Sequence, residues 1–216
     1  MAAPRDTTVM LAQLMESLQR ETLGQEGFTH SGALRFRRPG DGVDQRLVFW
    51  VQRHSPFARG RHLLGLRVEL AFTGAAKTTL VSMQPAGAKP VVAHPIDILE
   101  AAAGVRHAVW AFDSERAASD QVALVTRSIL RAAMPYLDAR RSLSDLADIV
   151  ERQTMTDPRP IDLDNRSGPV AGAAAALSVG RPEQAARILE LEQARDKYFR
   201  SRYASAFDVV GSEPPA

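Results

Sequence analysis

The stretch that decides the fold is Leu34-Arg35-Phe36-Arg37-Arg38-Pro39-Gly40-Asp41-Gly42-Val43-Asp44-Gln45-Arg46-Leu47-Val48-Phe49-Trp50-Val51-Gln52. Leu34 and Phe36 alternate with Arg35 and Arg37. Further on, Val43, Leu47, Phe49 and Val51 share one parity, with Gln45 an exception, while Arg46, Val48, Trp50 and Gln52 share the other. A period of two marks half-buried strands, because successive side chains point to opposite faces of a sheet. Pro39-Gly40-Asp41-Gly42 has turn chemistry: proline fixes one φ and glycine permits a positive one. The segment therefore reads as a β-hairpin. After a loop from His54 to Arg61, a third strand carries Leu64, Leu66, Val68, Leu70 and Phe72 on one face, with Arg67 and Glu69 on the other.

Working outward, Leu11, Leu14, Met15 and Leu18 repeat at helical spacing, so a helix is expected over 7–23, capped by Asp6 and ended by Gly24 and Gly27. A fourth strand is expected over 78–83, a loop from Pro85 to Pro95, a short helix over 96–103 stopped by Gly104, and a last strand over 105–112. A helix from Ser114 carries the stripe Ala118, Val122, Val125, Ile129 and Ala132, with Pro135 at its end. Ser142, with Asp145 three residues on, opens the next helix as a capping box. Two helices follow a polar segment: an alanine-rich one over 170–179, and one that begins after Gly180-Arg181-Pro182 and extends toward Phe207. Segregated elements predict an α+β fold, with an antiparallel sheet of four to five strands, helices on one face and a C-terminal helical hairpin. The expected organisation is an α+β domain over 1–152, a linker over 153–168, the hairpin over 169–207 and a disordered tail over 208–216.

Composition narrows the function classes. The 216 residues are 45% hydrophobic and 24% charged, ordinary for a chain that buries its own core. The absence of cysteine excludes disulfides, thiolate metal sites and a cysteine nucleophile. The apolar run Val9-Met10-Leu11-Ala12 is broken by Gln13 and Glu16, unlike a signal peptide. No stretch nears the roughly 20 apolar residues of a membrane helix, so the expectation is a cytoplasmic protein with no membrane partner. Lysine occurs only at Lys77, Lys89 and Lys197 among 27 basic residues, which together with abundant alanine suggests the codon supply of a GC-rich bacterial genome.

Charge is distributed unevenly. Between residues 35 and 67 lie Arg35, Arg37, Arg38, Arg46, Arg53, Arg59, Arg61 and Arg67, opposed only by Asp41 and Asp44, although the whole chain is only +2. Strand parity puts Arg35, Arg37, Arg46, Trp50, Gln52 and Arg67 on the face turned from the core, as a candidate binding face. Arginine and tryptophan are frequent anchors for an acidic protein partner. The same residues can bind phosphate and stack a base, which admits nucleic acid as a second partner class. A solvated face, with arginine stems packed over Trp50, is the plain alternative.

Catalytic signals are absent at the level of motif. There is no GxSxG, Walker loop, GxGxxG or HExxH, and no cofactor is implied. Of His30, His54, His62, His94 and His107, only His54 and His62 flank one loop, where they could meet. Asp162-Leu163-Asp164-Asn165 lacks the ligand ladder of a calcium loop. No catalytic or metal residues are assigned. The helical pair around Gly180, with Glu183-Gln184-Ala185-Ala186, resembles half of a tetratricopeptide unit, and such arrays need about three units.

Several short matches together resemble the bacterial domain-of-unknown-function family 4304. They are Gly27-Phe28; Gly32, Phe36 and Arg37; Val48-Phe49 leading to Gln52-Arg53-His54-Ser55; Leu66 and Val68; Trp110; Pro135-Tyr136-Leu137; and Leu143 with Leu146. The resemblance spans residues 8–152. It implies an α+β fold and carries no reaction or catalytic residue with it. The leading expectation is a non-enzymatic interaction module of adaptor or toxin-neutralising type. A nucleic-acid-binding module and an enzyme whose site is dispersed in sequence are the alternatives.

Overall fold

The computed structural model describes residues 4–52, 62–107, 110–112, 115–156 and 168–211. The expected loop from His54 to Arg61 and the Asp162–Asn165 segment lie outside them. The fold is α+β, with an antiparallel sheet and helices that include a C-terminal group. Two compact units share the chain: the first comprises residues 1–38, 45–69 and 94–136, the second residues 39–44, 70–93 and 137–216.

The sheet contains β1 (Thr29–Gly32), β2 (Arg35–Arg38), β3 (Val43–Gln52), β4 (His62–Phe72), β5 (Val91–Pro95) and β6 (Trp110–Phe112) among the described residues. Its order is β1-β2-β3-β4-β5, and β6 pairs with β4. The expected hairpin is β2–β3, in the register Arg35↔Val48, Phe36↔Leu47, Arg37↔Arg46 and Arg38↔Gln45. Phe36, Leu47, Phe49, Leu66 and Val68 are buried, as their parity requires. The exception at Gln45 is explained by its cross-strand neighbour. Arg38 turns inward, donates from Nε to Gln45 Oε1 at 2.6 Å and from Nη1 to the Glu26 carbonyl at 3.1 Å, and lies 4.8 Å over the Phe28 ring. A buried polar group needs such a partner, and here the two supply each other.

In the first unit, α1 (Pro4–Leu18) runs on through a wide π turn, Gln19–Leu23. It starts two residues ahead of Asp6, so Asp6 falls inside the helix instead of capping it. α1 packs on α4 (Glu115–Ser128), and a Thr22–Thr126 hydroxyl pair at 3.2 Å joins the two segments. Met10, Leu14, Met15 and Leu18 supply one side of the core, Val125 and Ile129 the other. A second π turn, Ile129–Ala133, leads from α4 into α5 (Met134–Asp138). It falls just before Pro135, which cannot donate to the Arg131 carbonyl and whose ring would press on it in a regular helix.

Three expectations are corrected. Residues 78–83 are not a strand; they belong to helix α2 (Gly74–Met83). Ala76, Leu80 and Met83 bury one helical face, and that burial outweighs the strand preference of Thr78, Thr79 and Val81. The hydroxyls of Thr79 and Ser82 donate back to the Ala75 and Thr79 carbonyls at 3.2 and 2.7 Å. The expected loop from Pro85 to Pro95 contains β5, with Val92 and His94 buried and the prolines at its borders, where a missing N–H costs no ladder bond. β1 was not expected: all four of its residues are exposed, so no apolar alternation marks it. The short helix near 96–103 is α3 (Ile96–Ala102), and β6 is shorter than the strand expected over 105–112.

In the second unit, α6 (Leu143–Thr154) opens with the expected capping box: Asp145 N donates to Ser142 Oγ at 3.1 Å, and Ser142 N to Asp145 Oδ2 at 3.1 Å. α7 (Gly168–Ser178) touches α2, α6 and α8 (Pro182–Arg195). Residues 168–176 are all buried, which suits a helix of small side chains enclosed by three neighbours. A Cβ on Gly172 would stand 2.4 Å from Val150 Cγ1, so glycine sets the approach of α6. Across α6 and α8, Arg181 donates to Asp148 and Ser144 at 2.8 Å, Gln184 to Glu151 at 2.7 Å, and Arg187 to Glu151 at 2.8 Å. α8 stops at Arg195, short of the expected Phe207; α9 (Phe199–Arg202) and α10 (Ala204–Gly211) follow, joined by the Phe199, Tyr203 and Phe207 rings.

Candidate functional site

The candidate face belongs wholly to the first unit and is built on β2, β3 and the first part of β4. Outward parity exposes Arg35, Arg37, Trp50, Gln52 and Arg67, with Arg46 half-buried. Trp50 is 43% exposed, whereas the other tryptophan, Trp110, is 2% exposed. The six residues named from the sequence thus share one face of three neighbouring strands. Arg53, Arg59 and Arg61 lie outside the described residues, and Arg38 faces the core.

Two relationships shape this face. The first is between Trp50 and Gly65: a Cβ on Gly65 would fall 2.2 Å from Cε2 and 2.7 Å from Nε1 of the indole. The ring therefore lies on bare backbone of the neighbouring strand and is presented on one side only. The second is the register that places Arg37 opposite Arg46. Like charges directly opposite on a sheet cost stability, about 0.2–1 kcal/mol.

Acidic residues of the same parity are Asp44 on β3, which is buried, and Glu69 on β4. Glu69 has a defined partner. Its carboxylate, 8% exposed, pairs with Arg67 Nη2 at 2.5 Å, and Arg67 keeps 46% of its side chain in solvent. Sequence parity placed the two side by side without showing that the acid is buried. Arginine presents a planar fork of donors that matches carboxylates in pairs. Four such groups around one exposed aromatic can hold an anionic surface.

Among the described residues the histidines do not converge. His30 stacks on Phe36 at a ring separation of 4.8 Å, His94 is buried against Tyr136, and His107 binds Glu100 through Nδ1. His54 lies outside the described residues. Among the described residues no three histidine or acidic side chains gather as a metal site would require, and no helix is long and apolar enough to cross a membrane. The pairing of His107 with the fully buried Glu100 was missed, because seven residues and a helix end separate them in the chain. Searches against family models, curated proteins and solved structures find no match to this chain.

Proposed function

We propose that the chain is a non-enzymatic interaction module, of adaptor or toxin-neutralising type, that docks the acidic surface of a partner protein on the outer face of β2, β3 and β4. The supporting observation is the exposed Trp50 set among Arg35, Arg37, Arg46 and Arg67, while the acids of the same strand parity, Asp44 and Glu69, are both buried. An amphipathic ring within a field of guanidinium groups is the composition of an interface anchor. The kinship with domain-of-unknown-function family 4304, a bacterial source and a cytoplasmic setting belong to the same proposal.

Nucleic acid is the second reading. Proteins that track single strands stack successive bases on several aromatic platforms. Here Trp50 is the one exposed aromatic among the described residues of the face, and one side of its ring is occupied by Gly65. That favours the protein partner.

The test compares wild type with R35E/R46E, keeping Arg67 because Glu69 depends on it. Both proteins are titrated with polyglutamate and with single- and double-stranded RNA and DNA at low salt, read by Trp50 emission. Both are then used to recover proteins from the native host. Binding of polyglutamate, together with recovered acidic proteins that the variant loses, supports the proposal. Nucleic-acid binding that weakens steeply with salt transfers the face to the second reading. Identical behaviour of the two proteins removes the face as a site.

A further inference from the structure

A second cationic feature lies in the first unit, away from β2–β4. The turn after α3 and the end of α4 border a cavity of about 660 Å³, in the range of ordinary ligand pockets, lined by Ala103, Gly104, Val105, Arg106, Arg127 and Arg131. No acidic side chain among the described residues lines it. Among the described residues none of its three arginines makes an ion pair or a side-chain hydrogen bond, in a protein where Arg38, Arg67, Arg141, Arg181 and Arg187 all do. Three like charges turned toward one volume repel each other, and an anion between them relieves that repulsion.

The cavity wall is held in place before any ligand arrives. Arg127 and Arg131 are four residues apart on one continuous helix, which puts them on the same side. Arg131 belongs to the π turn that packs on α3. The segment bearing Arg106 is tied on both sides to a single residue: Val105 N donates to the Glu100 carbonyl at 2.8 Å, and His107 Nδ1 binds the Glu100 carboxylate. Glu100 is fully buried, so its charge faces His107 and not the cavity. The last carbonyls of α3 are also occupied: Ala103 N donates to Leu99 at 3.0 Å and Gly104 N to Ala101 at 3.2 Å, in a turn that needs the positive φ of Gly104. The helix end therefore does not compete for the arginines.

We infer that this cavity binds a small phosphorylated molecule by its phosphate. Guanidinium forks bind phosphate oxygens in pairs, and three of them suit a multiply charged phosphate better than a single carboxylate. The volume also accommodates the organic group attached to that phosphate, against the Ala103–Val105 backbone.

The probe is pyrophosphate, titrated into the full chain at low salt with calorimetry and backbone amide shifts as readouts. Saturable binding that moves the Gly104, Val105, Arg127 and Arg131 amides, and that weakens at least tenfold in R127Q and in R131Q, is the expected result. R127K keeps the charge but loses the fork, and is expected to fall between wild type and R127Q. R35E/R46E is expected to bind pyrophosphate normally, which separates this cavity from the sheet face. Absence of binding, equal affinity in R127Q and wild type, or binding of citrate as tight as that of pyrophosphate each overturns the inference.

Discussion

The indole of Trp50 lies across Gly65 on the neighbouring strand, in space that any side chain there would fill. An aromatic placed over a strand glycine covers backbone that would otherwise be open, and the glycine in turn seats the ring. G65A is expected to displace the indole and to lower stability by about 1–3 kcal/mol, as overpacking does. Denaturant unfolding and acrylamide quenching of Trp50 measure the two effects. In a W50A background the same substitution should cost far less; an equal cost would show that the ring and the glycine are not coupled.

Arg37 and Arg46 stand opposite one another on neighbouring strands of the candidate face. R46E reverses one of these charges and is expected to weaken capture of an acidic partner. Unchanged capture in a polyglutamate titration contradicts this.

Arg67 and Glu69 are not equivalent partners. Removing Arg67 leaves a buried carboxylate without its cation, which costs about 1–3 kcal/mol. E69Q leaves an acceptor in place and a half-exposed guanidinium that water can solvate, so it should cost clearly less. Equal losses for R67A and E69Q would mean that the carboxylate is not held as described.

The approach of α6 and α7 gives a test in the second unit. G172A places a methyl group against Val150 and is expected to cost about 1–3 kcal/mol. Pairing it with V150A, which removes Cγ1 and Cγ2 from the contact, should recover part of that loss. Additive losses in the double variant would show that the two helices do not meet there.

The hairpin and the candidate face were legible because side-chain direction in a strand alternates strictly, and one short turn fixed where the alternation restarted. The helix at Ser142 was legible because a capping box is written in four adjacent residues. α2 was misread because Thr78, Thr79 and Val81 favour strands by local preference, while Ala76, Leu80 and Met83 are decided by what they bury. β5 was hidden by the prolines that border it, and β1 by its wholly exposed residues. The inward turn of Arg38 depends on Phe28, Glu26 and Gln45 together, and no spacing rule announces such a set. Arg106 meets Arg127 and Arg131 only once α3 packs on the π turn, so that cluster was invisible in one dimension.

Each compact unit draws on three separated lengths of chain, and the backbone passes from one to the other after β2, inside β3, near the end of β4, within β5 and within α5. Neither can be isolated by trimming an end: a fragment ending at 152 would keep α2 yet lack α7, which α2 packs against. During synthesis α2 leaves the ribosome some ninety residues before that helix, so the second unit closes only when translation is nearly complete.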